Sequence, residues 1–200
     1  MTSQAFMEAV KERRSIYGIS KESVISDDKI VELVQEAVKN TPSSFNSQSA
    51  RLVVLLGDSH NKFWDMTTNT LRAIVPADQF EQTEQKMSGF KSGYGTVLFF
   101  EDKKVVDGLM ESFPSYAQNF PIWSHHSSGM HQFVVWTALE KEGFGASLQH
   151  YNPLVDEEVK QTWSLPDSWQ LIAQMPFGKP TVAPGEKEFK PLDERVKIFK

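Results

Sequence analysis

The chain has 200 residues, 40% of them hydrophobic, enough for one sizeable core and with no demand for a second. Its 26 acidic and 21 basic side chains leave a net charge of -5, and the basic residues are scattered, which argues against a general nucleic-acid binder. There is no cysteine, so disulfides, thiolate nucleophiles and cysteine-type zinc sites are excluded, and any redox work must borrow a cofactor.

No stretch approaches the roughly 18 continuous apolar residues of a membrane span. The start, "MTSQAFMEAVKERR", carries charges where a signal peptide needs its apolar segment, so a cytosolic location is expected. Phe6, Ala9, Val10 and Arg13 recur at helical spacing and predict a first helix over 3–14, with Gly18 to stop it. A second helix starts after Ser26 as N-cap. Asp27 and Asp28 suit the positive end of its dipole, Ile30, Leu33, Val34, Ala37 and Val38 form one apolar stripe, and Pro42 closes it.

"LVVLLG" (52–57) and "GTVLFFE" (95–101) are short, apolar on both faces and partly β-branched, which predicts strands buried inside a sheet. The intervening 59–91 reads as helical with a break at Pro76. Residues 120–143 turn apolar nearly all round from Met130 to Leu139, the pattern of a buried central helix, and Gly143 and Gly145 end it. "GASLQHY" (145–151) and "WQLIAQMPFG" (169–178) predict two further strands around a short helix at 156–163. The layout is mixed α and β. One domain is expected over 1–178. The segment 179–200, proline-rich at first and apolar at Val196, Ile198 and Phe199, predicts an arm that docks on something such as a second subunit.

Several chemistries can be weighed from the residues. On a helix His126 and His131 lie about 140° apart, so they do not converge on one metal ion, and a metal site is not expected. There is no G-x-S-x-G elbow for a serine hydrolase, and "GFGASL" lacks the third glycine and precedes a strand, which rules against a dinucleotide turn. "RRS" at 13–15 is able to grip a phosphate, although cations at a helix end also serve simply to balance its dipole. Lys187 and Lys190, taken alone, are solvated lysines.

In chain order, "RRSIY", "TPSSFNSQ", "GFGASLQHYNP", and "PFGKP" followed by "KEFKPLDERV" resemble the FMN-dependent nitroreductase family over nearly the whole chain. Each motif is weak and the ordered set is specific. The resemblance is greatest to the short branch called fatty-acid-repression-mutant-type or nitroreductase-like oxidoreductases, with its "NSQSAR" and "LQHYNP" variants; the more familiar branch has Pro-Trp where this chain has Ser49 and Ala50. The resemblance implies an α+β fold with a central mixed sheet flanked by helices. It also implies a homodimer holding two FMN molecules at its interface, each C-terminal arm exchanged onto the partner.

Carried over by position, the resemblance implies that Arg13 and Ser15 contact the phosphate and ribityl chain, with Arg14 as a neighbour that shares the task. Tyr17 stands where other branches place a lysine near the flavin's pyrimidine edge. Pro42, Ser43, Ser44, Asn46 and Gln48 match the loop at the flavin edge, usually supplied by the opposite subunit. Gly145, Ala146, Ser147 and Leu148 match the strand start along the ring, which offers a backbone N–H to N5. Lys187 matches a phosphate-binding lysine, and Phe189 replaces an arginine common two residues later.

The expected activity is ping-pong transfer of electrons from NADH or NADPH to nitroaromatics, quinones or related planar acceptors. Phe45, Phe120, Trp123 and His125 are candidates for the pocket wall because planar substrates favour aromatic neighbours; a core or dimer-interface role is the alternative for each. A non-enzymatic flavin-binding or regulatory protein on the same fold, and a hydrolase without flavin, are the rival functions.

Overall fold

The computed structural model of the chain describes residues 3–200; Met1 and Thr2, the first residues of the expected domain, lie outside the described residues. Helix α1 spans Ser3–Glu12 and stops two residues short of the expected end, although the Arg13 N–H still donates to Ala9 O at 3.1 Å. It is followed by a two-residue strand β1, Ile19–Ser20. Helix α2, Asp27–Asn40, starts as predicted, with the Ser26 side chain accepting the Lys29 N–H at 3.3 Å.

Strand β2 is Ala50–Leu56 and runs straight into α3, Gly57–Arg72, through Gly57 at φ 54°. The break at Pro76 separates α3 from α4, Phe80–Lys91. Strand β3, Gly95–Asp102, is buried along its length and leads into α5, Lys103–Ser112. The long helix α6 is Phe120–Lys141, then β4, Gly145–Ala146, α7, Asp156–Thr162, and β5, Trp169–Pro180.

The sheet runs β1-β5-β3-β2, and β4 pairs with β5. Pairings between these strands are antiparallel; the parallel component of the expected mixed sheet is the isolated bridge between Ser15 and Ala146. The alternation of β3 builds two cores. Leu98 and Phe100 face Phe63, Trp64, Phe90 and Leu171, whereas Val97 and Phe99 face Ile30, Val34, Val135 and Leu139.

Two expectations are corrected. The strand predicted over 145–151 ends at Ala146, because β5 carries Pro176 opposite: Ser147 N–H reaches Pro176 O at 3.3 Å, but proline has no N–H to return. Pairing resumes only at Gln149 and Gln174. Helix α6 is not buried all round, since Met130 and Val134 remain 40% and 39% exposed.

Candidate cofactor site

The bridge between Ser15 and Ala146 fixes the geometry. Ile16 N–H donates to Ala146 O at 2.9 Å, so the chain leaving α1 lies alongside the start of β4. Ser147 and Gln149 aim their N–H groups at β5, to Pro176 O at 3.3 Å and Gln174 O at 2.7 Å. Alternation along the extended chain turns the Leu148 N–H the other way, toward the side on which Ser15 lies, where it meets no acceptor among the described residues. An unspent main-chain donor therefore lies on the edge that pairs with the Ser15 segment, on the Tyr17 side of the bridge, with the arginines on the other side of it. A Cβ on Gly145 would come within 2.7 Å of Ile16 Cγ2, so the close approach of these two segments requires the glycine.

The Arg13 guanidinium lies 4.3 Å from the Trp136 ring centroid and donates no side-chain hydrogen bond among the described residues. Arg14 Nη2 donates to Gly185 O at 2.5 Å, which brings the C-terminal arm across the arginines two residues before Lys187. Lys187 itself is exposed and lies 5.3 Å from the Phe189 ring. Arg13, Arg14 and the arm that carries Lys187 thus form one cationic region able to take a phosphate. Tyr17, two residues after Ser15, is 59% exposed. Gly145, Ala146 and Ser147 are buried, so only their main chain is available to a ligand, and Leu148 is half-buried.

The loop that follows α2 is a second, separate region. Phe45, Asn46 and Gln48 adopt φ of 57°, 50° and 50°, three left-handed residues without a glycine, a conformation that non-glycine residues hold only where the surroundings enforce it. Ser43 enforces part of it: its Oγ accepts the Gln48 N–H at 2.9 Å and its carbonyl accepts the Asn46 N–H at 3.0 Å. The Ser44 carbonyl accepts the Ser47 N–H at 3.0 Å. Arg51 holds the far side, donating to Gln48 O at 2.7 Å while paired with Asp102 at 3.1 Å. The Asn46 side-chain amide makes no hydrogen bond among the described residues, and the exposed Gln48 amide reaches only Asn46 O at 3.5 Å; both are available to a ligand. Pro42 lines a groove of about 640 Å³ together with His126, Met130 and Val134.

Phe45 joins an aromatic cluster. Its ring lies 5.2 Å from Phe120 and 6.2 Å from Trp123, nearly parallel to the latter at 19°. Phe113 and Tyr116, at 5.0 and 6.0 Å from Phe45, complete the cluster. These two escaped the sequence reading, although aromatic residues at 113, 116, 120 and 123 recur at near-helical intervals that could have signalled them. His125 is exposed and is not among the aromatic contacts of this cluster. His131 is buried and its Nδ1–H donates to Ser127 O at 2.8 Å. Among the described residues no group of three or more His, Asp or Glu could hold a metal ion, and no helix is long and apolar enough to cross a membrane.

The profile of the Nitroreductase family matches residues 10–179, and the chain belongs to that family. It is 36% identical over 186 residues to the nitroreductase FRM2 of Saccharomyces cerevisiae, covering 92% of each chain. The fold superposes on the nitroreductase CinD from Lactococcus lactis in complex with 4-nitrophenol with a TM-score of 0.90 and 43% identity, covering 98% of this chain and all of the other. A protein from Desulfovibrio desulfuricans in complex with FMN shares the fold at a TM-score of 0.69 and 20% identity, with 97% of each chain covered.

Proposed function

We propose that this chain is an FMN-dependent oxidoreductase that takes electrons from NADH or NADPH and passes them, in a ping-pong sequence, to nitroaromatics, quinones or similar planar acceptors. Its expected setting is a cytosolic homodimer with exchanged C-terminal arms. The observation that carries the reading is the Ser15–Ala146 bridge, which puts the free Arg13 guanidinium and the free Leu148 N–H on one side of one short strand. That donor set suits a phosphate at one end and a ring nitrogen at the other. FMN would supply the electron store between the two half-reactions, so the lack of a cysteine thiol is no obstacle.

Each group then has a task. Arg13, Arg14 and Lys187 bind the phosphate, Ser15 the ribityl chain, and the main chain of Gly145 to Leu148 runs along the ring, with the Leu148 N–H toward N5. Asn46 and Gln48 hydrogen-bond the pyrimidine edge, while Pro42, Ser43 and Ser44 shape the turn that presents them. Tyr17 borders the same edge without adding charge. Phe45, Phe120 and Trp123, with Phe113 and Tyr116, wall the acceptor pocket, and His125 lies at its rim. CinD in complex with 4-nitrophenol shows a nitroaromatic bound to a similar protein, which supports planar nitroaromatics as ligands here.

The spacing on α6 supports two subunits. Phe45 touches this helix at Trp123 and Arg13 touches it at Trp136, 13 residues further on. That is about 20 Å along the axis and roughly 220° around it. The loop and the arginines of one protomer therefore face different places, and a second protomer brings one of each together. Met130 and Val134 offer an apolar face for that contact. Strand β2 is an edge strand, beside which Val31, Val38, Leu52 and Trp169 line a hollow of about 680 Å³. Val196, Ile198 and Phe199 are 58%, 75% and 93% exposed in their own protomer, and a partner's hollow of this kind would bury them.

The visible spectrum of the purified protein, followed by anaerobic addition of NADH or NADPH and then a nitroaromatic, tests this. Flavin absorbance that bleaches and returns is expected. A bound flavin that neither nicotinamide reduces would favour the flavin-binding or regulatory alternative. A protein that stays colourless after incubation with FMN would overturn both.

A further inference from the structure

Arginines just beyond a helix end are ordinarily free to swing, yet Arg13 and Arg14 are fixed here by two residues four apart on α6. The Trp136 ring lies under the Arg13 guanidinium at 4.3 Å. Glu140 uses one oxygen for each neighbour. Oε1 accepts the Trp136 Nε1–H at 2.9 Å, which sets the ring, and Oε2 accepts the Arg14 main-chain N–H at 2.7 Å, which sets the backbone. Among the described residues Glu140 forms no ion pair with either guanidinium. That choice matters chemically. A carboxylate gripping an arginine side-on would occupy the same forked donors that a phosphate uses.

Glu140 also presents less charge than an ordinary glutamate. Burial pushes its carboxyl up to about 7, while the Arg14 N–H, the Trp136 N–H and the two guanidinium groups act in the opposite direction. At neutral pH a large share of the group is therefore protonated, which softens its repulsion of a nearby phosphate. The protonated carboxyl keeps a carbonyl oxygen and a hydroxyl oxygen, each with lone pairs to accept a hydrogen bond.

We propose that Glu140 is a positioning residue for the flavin phosphate: with Trp136 it holds the Arg13–Arg14 pair by main chain and ring face, leaving to the ligand the Arg13 guanidinium and the Arg14 donors not spent on Gly185 O. This rests on the FMN reading above. It differs from a packing role because it predicts a loss specific to the phosphate end of the cofactor.

The test titrates apo-protein with FMN and with riboflavin, which has the same ring and no phosphate, following quenching of flavin fluorescence. Wild type should bind FMN more tightly than riboflavin. Glu140→Ala should weaken FMN about tenfold or more and riboflavin less than about twofold, since the hydrogen bonds that set the Arg14 backbone and the Trp136 ring are lost on the phosphate side only. Glu140→Gln keeps one acceptor oxygen and should lose less; should the alanine variant not fold, the glutamine variant alone carries the comparison. An FMN-to-riboflavin affinity ratio that stays at the wild-type value in a folded variant overturns the proposal while leaving the flavin reading intact. Wild type that binds neither flavin sinks the FMN reading, and this inference with it.

Discussion

The Ser49 hydroxyl donates to Glu101 Oε2 at 2.6 Å, and the other oxygen, Oε1, is buried without a partner among the described residues. The residue before β2 is tied to the end of β3 a second time by Asp102 N–H to Ser49 O at 2.9 Å. Ser49 directly follows Gln48, so the loop that turns Asn46 and Gln48 outward is anchored on a carboxyl group 2% exposed. Burial pushes that carboxyl up to about 7, against the Ser49 hydrogen bond and the Arg51 charge.

A raised carboxyl pKa means that the folded state holds more protons than the unfolded one between the ordinary value of 4.5 and about 7. The stabilising contribution is present below pH 4.5 and is lost as pH rises through 7. Glu101→Gln preserves an acceptor for Ser49 and removes the ionisation. Relative to wild type, it should gain about 1 to 3 kcal/mol on going from pH 5 to pH 8, read by urea unfolding at each pH. Parallel stability curves for the two proteins would contradict a buried, neutral Glu101.

His60 behaves with the opposite sign. Trp64 Nε1–H donates to Thr96 Oγ1 at 2.9 Å and His60 Nε2–H donates to Lys91 O at 3.2 Å, so Nδ1 is bare and accepts the Thr96 hydroxyl at 2.9 Å. Burial lowers the His60 pKa to about 4. The unfolded chain therefore binds more protons between about pH 4 and 6.5, and this residue makes stability rise with pH across that window. Thr96→Val orphans His60 Nδ1 and Trp64 Nε1 and should cost about 2 to 4 kcal/mol at pH 7 in denaturant unfolding. A loss below about 1 kcal/mol would show that the network contributes little.

In the aromatic cluster the role of Trp123 can be separated from cofactor binding. Trp123→Ala should leave the flavin content near wild type and raise KM for a nitroaromatic about tenfold, because stacking area is lost while the phosphate and ring contacts are untouched. Steady-state kinetics with matched flavin occupancy decide it. Unchanged KM would return Trp123 to a packing or interface role.

Removal of residues 192–200 tests the arm. These residues are exposed in the protomer, so the fold should survive with a thermal midpoint within a few degrees of wild type. Sedimentation should show a shift from dimer toward monomer, together with loss of bound flavin. A truncated protein that stays dimeric and yellow would exclude the exchange.

How far the sequence reading reached depended on how local each signal was. Helix α2, with its Ser26 cap, and strands β2 and β3 were readable because a capping side chain and an apolar run are written in adjacent residues. Helix α5 carries local signals as well, an Asp102 cap and an apolar stripe of Val105, Val106, Leu109 and Met110, but the stripe is short and only Val106 is fully buried. Strand β1 exists because β5 continues to Pro180 and supplies a partner for Ile19, which no local pattern announces. The arginines, the loop and the β4 start are candidates through the ordered resemblance and not through any single motif. Glu101 and Glu140 have no such signal, since each is distinguished by what lies 52 or 126 residues away in sequence.

The placement of Phe45 and Arg13 at opposite ends of α6 has a genetic consequence. If each flavin is clasped by the arginines of one chain and the loop of the other, two inactive variants can rescue one another. A chain disabled at Arg13 and a chain disabled at Asn46, mixed by unfolding and reassembly, form heterodimers with one doubly damaged clasp and one intact clasp. Random pairing makes about half of the dimers mixed, so about a quarter of wild-type activity should reappear. Were both halves of the clasp drawn from the same chain, every combination would remain dead.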